Sequence, residues 1–554
     1  LTTEKTGKGF KSFFKEFLMN KKRRISLLFL VFFIVFGAFA GGGQQGNAPS
    51  TGVTVPAGTP GVVSYPVTGN PKVTLAMELN RDIQTAGYSS FNDTPGVKAW
   101  NRQTGITVDF LEMADTNAFM VYLAAGNSPD IVKGAKDFYP GGIPKMVEDG
   151  LTQDLTAALP VYAPDYWKFI NSDPRYYKAI QEPDGKHYAF AGYFLQPGNI
   201  NGSWTGLVGR QEFFDQLKIS APQTIDELYT YLRRSKDELG CEVPFMTADY
   251  RFAMIFSGGS LTSPFGLPTA DTYQLNGTVH YGSYDPAYKD VLAFMNRLYT
   301  EKLLDNNFAV TDEPTANASV LNGKTSLILT AASRIQNMTV AAQNSPDFTL
   351  VGLPSMSTAK GVTPMFSYAD GFVATSDWAF IPQKSHDLPN ALKALNYLYT
   401  EKGNILANFG EEGVTFNYVN GNPVFNDYVA NNPQGLPVDG VLRANALLNF
   451  PIVMDNRMTL QRFPLKQQVQ AMQAWSNSDG DKYRIVNTSI IGQNASEYAG
   501  LVTDINTYIN ESRAQFISGA LPLASFDQYI ANLRKMGMDR LLEILQASYN
   551  MYNK

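Results

Sequence analysis

Between Lys72 and Phe110 the chain spells a strand, a helix and a second strand, and that order leaves one broad fold class open. Val73-Thr74-Leu75-Ala76-Met77 reads as an apolar strand, and Ile106-Thr107-Val108-Asp109-Phe110 alternates at period two. Between them Val97-Lys98-Ala99-Trp100 falls on a helix that ends near Gly105. Strands joined through a helix run parallel, because no tight hairpin links them. Parallel sheets are covered on both faces, so the body is α/β. A helix over 117–125, a turn at Gly126-Asn127-Ser128-Pro129 and a short strand Asp130-Ile131-Val132 extend the pattern. With 554 residues the chain exceeds the roughly 250–300 at which one core stops growing, so two large lobes are expected.

Later segments carry helix signals. Thr224-Ile225-Asp226-Glu227 has the form of a capping box. Asp285 with Pro286 reads as an N-cap and first helical residue, and Leu388-Pro389 opens a similar helix. Both helices end in Tyr-Thr-Glu-Lys, at 299–302 and 399–402, a match too short to define a repeat. The stretch 526–552 reads as a helix pair about Gly537.

The N-terminal region reads as an address. Lys21-Lys22-Arg23-Arg24 precedes an apolar run over 25–36, then Ala38-Phe39-Ala40. This is the layout of a secretory signal peptide cut after Ala40, with an uncleaved anchor as the alternative. The run is short against the roughly 20 residues that span a bilayer. Residues 1–18 precede Met19 and read as a possible misassigned start. Residues 41–70 are uncharged and rich in Gly, Pro, Ser, Thr and Val, and read as a flexible tether. Gly41 stands where a lipoprotein would carry cysteine, so lipidation is not supported. The expected location is the periplasm or the outer side of the cytoplasmic membrane.

Several chemistries lack the residues they need. A formal net charge of −5 disfavours a nucleic-acid partner. Cys241 is the single cysteine, which excludes a disulfide framework and a cysteine metal cluster. His187, His280 and His386 form no short-range metal pair and no catalytic motif. There is no G-x-G-x-x-G after a strand, no Walker A sequence and no G-x-S-x-G elbow. No metal or cofactor is expected. A glycosidase needs two carboxylates, and Asp93, Asp130, Asp137 and Asp370 are the acids in loop contexts. Sugar binding asks for aromatic platforms and planar polar groups, and the chain holds 29 Tyr, 35 Phe and 5 Trp. Asp137-Phe138-Tyr139 follows the strand at 130–132. Tyr193-Phe194 and Trp204 flank a Gly-containing turn, and Arg334 follows the apolar strand at 326–329. Tyr368, Asp370 and Trp378 surround Gly371-Phe372-Val373.

The order of these segments resembles the extracellular solute-binding proteins of bacterial carbohydrate ABC importers, in particular the large lipoprotein-like group associated with oligosaccharide uptake. The resemblance runs from about Lys72 to the C-terminus. It is carried by Thr104-Gly105-Ile106, by Leu123 through Ile131 with Ser128-Pro129-Asp130, and by Asp149-Gly150-Leu151 with Tyr162-Ala163-Pro164. It continues in Asp184-Gly185-Lys186-His187-Tyr188-Ala189, Pro222-Gln223-Thr224 with Glu227-Leu228, Asn322-Gly323-Lys324, and Phe409-Gly410-Glu411-Glu412-Gly413-Val414.

The resemblance implies an α/β, two-lobed, type II periplasmic-binding-protein-like fold, with a ligand cleft between lobes joined by crossing strands. Crossings are expected near 190, 375 and 445. That gives a signal peptide over 1–40, a linker over 41–70, lobe one from 71–190 and 376–445, and lobe two from 191–375 and 446–554. It nominates Asp137, Phe138, Tyr193 and Arg334 as ligand contacts. Trp204, Tyr368, Asp370 and Trp378 rest on the loop reading. The expected partners are a carbohydrate and the permease subunits of an importer, with membrane contact only through the leader or the permease. The chain is expected to act as a monomer without catalysis. The alternatives are a same-fold binder of a peptide or another solute, and an exported glycan-active enzyme.

Overall fold

The strand–helix–strand unit forms where the sequence places it. Strand β1 (Lys72–Glu78) pairs in parallel with β2 (Thr107–Met113), from Lys72 opposite Thr107 to Glu78 opposite Met113. The helix Pro95–Thr104 joins them. Proline is tolerated at its start, where the missing N–H has no helical acceptor. Gly105 ends it at φ 70°, a left-handed conformation that glycine adopts without side-chain strain. The helix buries Val97 and Trp100. Trp100, Phe91 and Phe110 all pack on Phe450, with ring centroids 5.5, 5.8 and 5.7 Å away.

The computed structural model describes residues 61–79, 82–136, 138–139, 142–194, 202–368, 373–436, 438–448, 450–485, 490 and 494–552. The expected leader, most of the tether, Asp137 and Asp370 lie outside these residues. The further strands are β3 (Ile131–Lys133), β4 (Ala189–Phe194), β5 (Thr205–Arg210), β6 (Phe245–Met246), β7 (Thr272–Leu275), β8 (Thr278–Tyr281), β9 (Leu327–Ala331), β10 (Leu350–Gly352), β11 (Val373–Phe380), β12 (Phe416–Val419), β13 (Asn422–Phe425) and β14 (Val453–Met454). Among the described residues they make two main sheets, ordered β14-β4-β11-β3-β1-β2 and β10-β5-β9-β6, and two separate hairpins, β7-β8 and β12-β13.

In the first sheet β11 runs antiparallel to both β3 and β4. The pairs β1-β2, β1-β3 and β14-β4 are parallel. The second sheet pairs β5 antiparallel with β9 and β10, and β6 parallel with β9. It is buried on both faces. Leu207 and Leu329 face one core with the C-terminal helices Asn494–Ser518, Phe526–Lys535 and Met538–Tyr552. Val208 and Ile328 face another with Met472 and Trp475 of the helix Lys466–Ser476. The chain therefore passes between sheets after Phe194, before Val373 and after Met454. The last passage falls later than the crossing expected near 445, because β14 pairs with β4 of the first sheet, Val453 opposite Tyr193.

Several local expectations shift by a residue or a turn. Thr224 Oγ1 accepts the amide of Glu227 at 3.3 Å, but Glu227 reaches back to the amide of Gln223 at 2.9 Å rather than that of Thr224. Asp285 caps the turn ahead of its helix by accepting from the Ala287 amide, and the helix runs Tyr288–Thr300. The two Tyr-Thr-Glu-Lys segments differ. Lys302 adopts φ 56° after one helix, whereas Thr400 caps the next helix, Glu401–Phe409. Residues 61–70, expected within the tether, lie against the body instead. Tyr65 Oη donates to the Lys393 carbonyl at 2.6 Å, its ring meets Tyr397 at 4.9 Å, and the Val67 amide donates to Thr104.

Candidate ligand-binding site

In the first sheet β1, β2, β3, β4 and β14 all point the same way, since β11 is antiparallel to both β3 and β4. Their carboxyl ends share one edge, the edge at which open α/β sheets bind ligands. The chain leaves β4 from that edge and enters β5 at Thr205. At the start of β5 the second sheet also presents the ends of β6 and β9, because β9 is antiparallel to β5 and parallel to β6.

Three short elements bring charge and aromatic surface to this second edge. The turn Asp249–Phe252 follows β6 and displays Tyr250 and Arg251. Asp312 caps the helix Glu313–Leu321 by accepting from Thr315 at 2.8 Å, which sets Glu313 in its first turn. The helix Ala332–Ala341 starts directly after β9 and carries Arg334 in its first turn. Its first amide, on Ala332, donates to the Trp204 carbonyl at 2.8 Å, so Trp204 and Arg334 occupy neighbouring backbone.

Arg334 Nε donates to Glu313 Oε1 at 3.1 Å, and Arg251 Nη2 reaches the same oxygen at 3.4 Å. Arg251 also donates to Thr205 Oγ1 at 3.3 Å and lies 4.9 Å from the Tyr250 ring centroid. The Tyr250 side chain is 57% exposed. Burial pushes the Glu313 carboxyl up, but Arg334, then Arg251 and Tyr250, hold it below its ordinary range.

A second carboxylate joins from the helix Val438–Asn445. Arg462 makes a two-point contact with Asp439, at 2.5 and 2.9 Å. Asp439 is 33% exposed. Burial raises its pKa, and the positive charges of Arg462, Arg443 and Arg334 outweigh that and bring it to about 2. Arg462 also lies 5.5 Å from the Trp204 ring, which packs between Phe194 and Phe463, each at 5.9 Å. One ionic network thus connects helices of both sheets through Trp204, Arg462, Asp439, Arg334, Glu313 and Arg251.

The residues nominated from sequence separate accordingly. Trp204 and Arg334 belong to this network. Phe138 is half-buried at the carboxyl end of β3, with its ring 5.8 Å from Phe119. Tyr368 is half-buried and packs into the space left by the missing side chain of Gly258. Tyr193 and Trp378 require correction. Tyr193 is 1% exposed, packed against Phe169 and Tyr176, with its hydroxyl on the Tyr176 carbonyl. Trp378 is 2% exposed, with Lys136 Nζ 3.9 Å from its ring centroid. Both sit inside paired strands of the first sheet, whose two faces are covered, so neither ring is open to a ligand.

Tyr250, Arg251, Glu313, Asp439 and Arg462 were not nominated. Asp249-Tyr250-Arg251 follows the end of β6 as Asp137-Phe138-Tyr139 follows β3, and that parallel was the available signal. Nothing local marks Asp439 or Arg462, which meet only through the fold.

The other polar candidates have structural roles. Asp130 accepts from the Thr74 amide and hydroxyl at 2.8 and 2.9 Å and from the His386 amide at 2.7 Å. His187 is buried between Trp167 and Tyr177, and burial pushes its pKa down to about 4. Burial also pushes the Cys241 thiol up to about 11, which leaves it unreactive at neutral pH. Among the described residues no group of three or more His, Cys, Asp or Glu side chains is placed to hold a metal, and no helix is long and apolar enough to cross a membrane.

Two lobes, each built on its own sheet and joined beside a polar and aromatic edge, define a solute-binding protein of the type II class. Residues 89–405, more than half the chain, match the family model of the bacterial extracellular solute-binding proteins, and the chain belongs to that family. Lipoprotein LipO of Bacillus subtilis is 22% identical over 494 residues, spanning 83% of this chain and 90% of LipO. The fructooligosaccharide ABC transporter substrate-binding protein FusA of Streptococcus pneumoniae is 21% identical over 487 residues, spanning 81% of this chain and 86% of FusA. Among solved structures, the alginate-binding protein AlgQ2 superposes with a TM-score of 0.69 at 21% identity, covering 87% of this chain and 99% of that one. An HMO-binding solute-binding protein from Bifidobacterium longum infantis gives 0.69 at 18% identity, covering 88% and 100%. These superpositions establish the fold.

Proposed function

We propose that the chain is the exported substrate-binding component of an ABC importer, that it takes an oligosaccharide between its lobes, and that it hands it to the permease unaltered. The observation that carries the reading is the exposed Tyr250 ring, backed by Arg251 and set beside the Arg334–Glu313 pair where the two sheets approach. Aromatic faces stack on sugar C–H surfaces, and planar charged groups engage hydroxyls. Family membership and the relatives LipO and FusA support export and importer association. In this reading lobe one combines β1–β4 with β11–β14, and lobe two combines β5–β10 with the C-terminal helices. Trp204 and Arg334 contact ligand with Tyr250, while Phe138 and Tyr368 border the site. Asp137 and Asp370, outside the described residues, complete the proposed contacts. The protein works as a monomer outside the cytoplasmic membrane, and closure of the lobes on the sugar is the signal to the permease.

Thermal unfolding of residues 41–554 against a panel of oligosaccharides, peptides and polyamines tests this. Ligand at about 100 times its Kd adds about 2.7 kcal/mol to stability. A raised midpoint with an oligosaccharide, recovered unchanged by chromatography, is the expected result. A rise with peptides or polyamines alone, or a cleaved sugar, would overturn it.

A further inference from the structure

We infer a second sugar subsite, at the carboxyl edge of the first sheet, where Glu78 accepts hydroxyls from a sugar unit that lies against Phe138. The inference rests on the oligosaccharide reading above and adds a contact from the first sheet to the Tyr250 wall of the second.

The order of the strands fixes the place. β1 leads through the helix Pro95–Thr104 to β2 on one side of it. β2 leads through the helix Thr116–Ala124 to β3 on the other side of β1. The direction of winding therefore reverses between β1 and β3. Open α/β sheets take ligands outside the carboxyl ends of their strands at such a reversal. Two residues beyond the last pair of these strands, Ala76 with Val132, come Glu78 and Gly134. Among the described residues nothing lies within 4 Å of where a Cβ on Gly134 would stand, so there is room for a ligand beside it.

One helix brings a carboxylate and a ring to this place. Thr116 Oγ1, at the first position of the helix Thr116–Ala124, donates to Glu78 Oε2 at 2.7 Å. Phe119, three residues on, is fully buried and meets the Phe138 ring at 5.8 Å between centroids. Helix positions three apart share a face, with roughly 5–6 Å between their Cβ atoms. Glu78 and Phe138 are thus seated by neighbouring residues of one face, and both are half-buried. Thr116 is the one hydrogen-bond partner of Glu78 among the described residues, which leaves Oε1 without one. Glu112, opposite Met77 on β2, is different, because both its oxygens are taken by Ser90 and the Phe91 amide. A carboxylate oxygen held through its partner oxygen accepts sugar hydroxyls in strong, directed hydrogen bonds. A ring beside it offers its face to the C–H surface of the same sugar unit.

The test is calorimetric titration of residues 41–554 and of its Glu78→Gln, Phe138→Leu and Tyr250→Ala variants. The sugars are kestose, maltotriose, cellotriose, xylotriose, lacto-N-tetraose and trigalacturonate. The expected result is that the wild type binds at least one of them. Glu78→Gln, whose amide oxygen can still accept from Thr116, weakens that sugar about tenfold or more with an unchanged unliganded unfolding midpoint. Phe138→Leu, which keeps apolar contact with Phe119, weakens it about fivefold. Wild-type affinity in either variant, or a loss in Glu78→Gln that comes with a lower unliganded midpoint, would overturn the subsite. A loss of binding in Tyr250→Ala alone would overturn it while leaving the oligosaccharide reading intact. Absence of wild-type binding to all of these sugars would overturn both.

Discussion

Asp130 shows how a loop carboxylate with a catalytic look becomes a structural clasp. It ties β1 through Thr74 to the residues that open the helix Leu388–Tyr397, through the His386 and Asp387 amides. Burial raises its pKa, and those hydrogen bonds pull it below its ordinary range. Asp130→Ala strands several donors at once and should cost about 2–4 kcal/mol in a denaturant titration. His187 gives the pH counterpart. Its pKa is about 4 in the fold against an ordinary 6.5, so the unfolded chain binds the extra proton between those values. Stability is therefore full above about 6.5, falls as pH drops toward 4, and levels off below. The loss attributable to this group is on the order of 3 kcal/mol, and His187→Phe should flatten that part of the stability–pH curve. In the proposed reading Tyr250 is the residue on which binding most depends. Tyr250→Ala should weaken oligosaccharide binding about tenfold or more, near 1.4 kcal/mol, without lowering the unliganded midpoint. Sequence alone could not rank it above Tyr193, because nothing local tells a tyrosine late in β4 from one in the turn after β6. What separates them is burial: β11 and β14 flank β4 from distant parts of the chain, and Phe169 and Tyr176 cover the Tyr193 ring.

Elements were legible where their signals are local. β1, β2, the helix Pro95–Thr104 and the C-terminal pair about Gly537 follow from periodicity, proline and glycine. Boundaries moved where tertiary contacts compete, as at Asp285 and at the second Tyr-Thr-Glu-Lys segment. Gly206 marks a contact that no pattern reveals. It pairs opposite Thr330, and the Trp475 indole occupies the place a Cβ would take. Trp475 Nε1 then donates to the Leu207 carbonyl at 3.1 Å, which docks the helix Lys466–Ser476 onto β5. Gly206→Ala should destabilise the protein by about 1–3 kcal/mol, read as a lower unfolding midpoint, because helix and strand must separate.

At the scale of the molecule the length predicted two lobes, and the family resemblance supplied their class. The strand pairing shows that each main sheet is assembled from distant segments. The C-terminal helices complete the core of the second sheet, where Tyr529, Leu533, Leu541 and Leu545 are buried with Leu207 and Leu329. A chain ending at 525 should lose cooperative unfolding of that lobe in circular dichroism, while the first sheet keeps its own core. The candidate site was only half legible for the same reason. Trp204 and Arg334 lie at strand ends that can be read locally, but Asp439 and Arg462 enter from the third passage of the chain. The most direct test of the central claim is calorimetric titration of an oligosaccharide that raises the unfolding midpoint into wild-type and Tyr250→Ala protein. The account predicts one saturable site in the wild type, a loss of about tenfold or more in the variant, and sugar recovered intact. Equal affinity in the two proteins would contradict the placement of the site, and sugar recovered as shorter products would contradict the assignment as a binding protein.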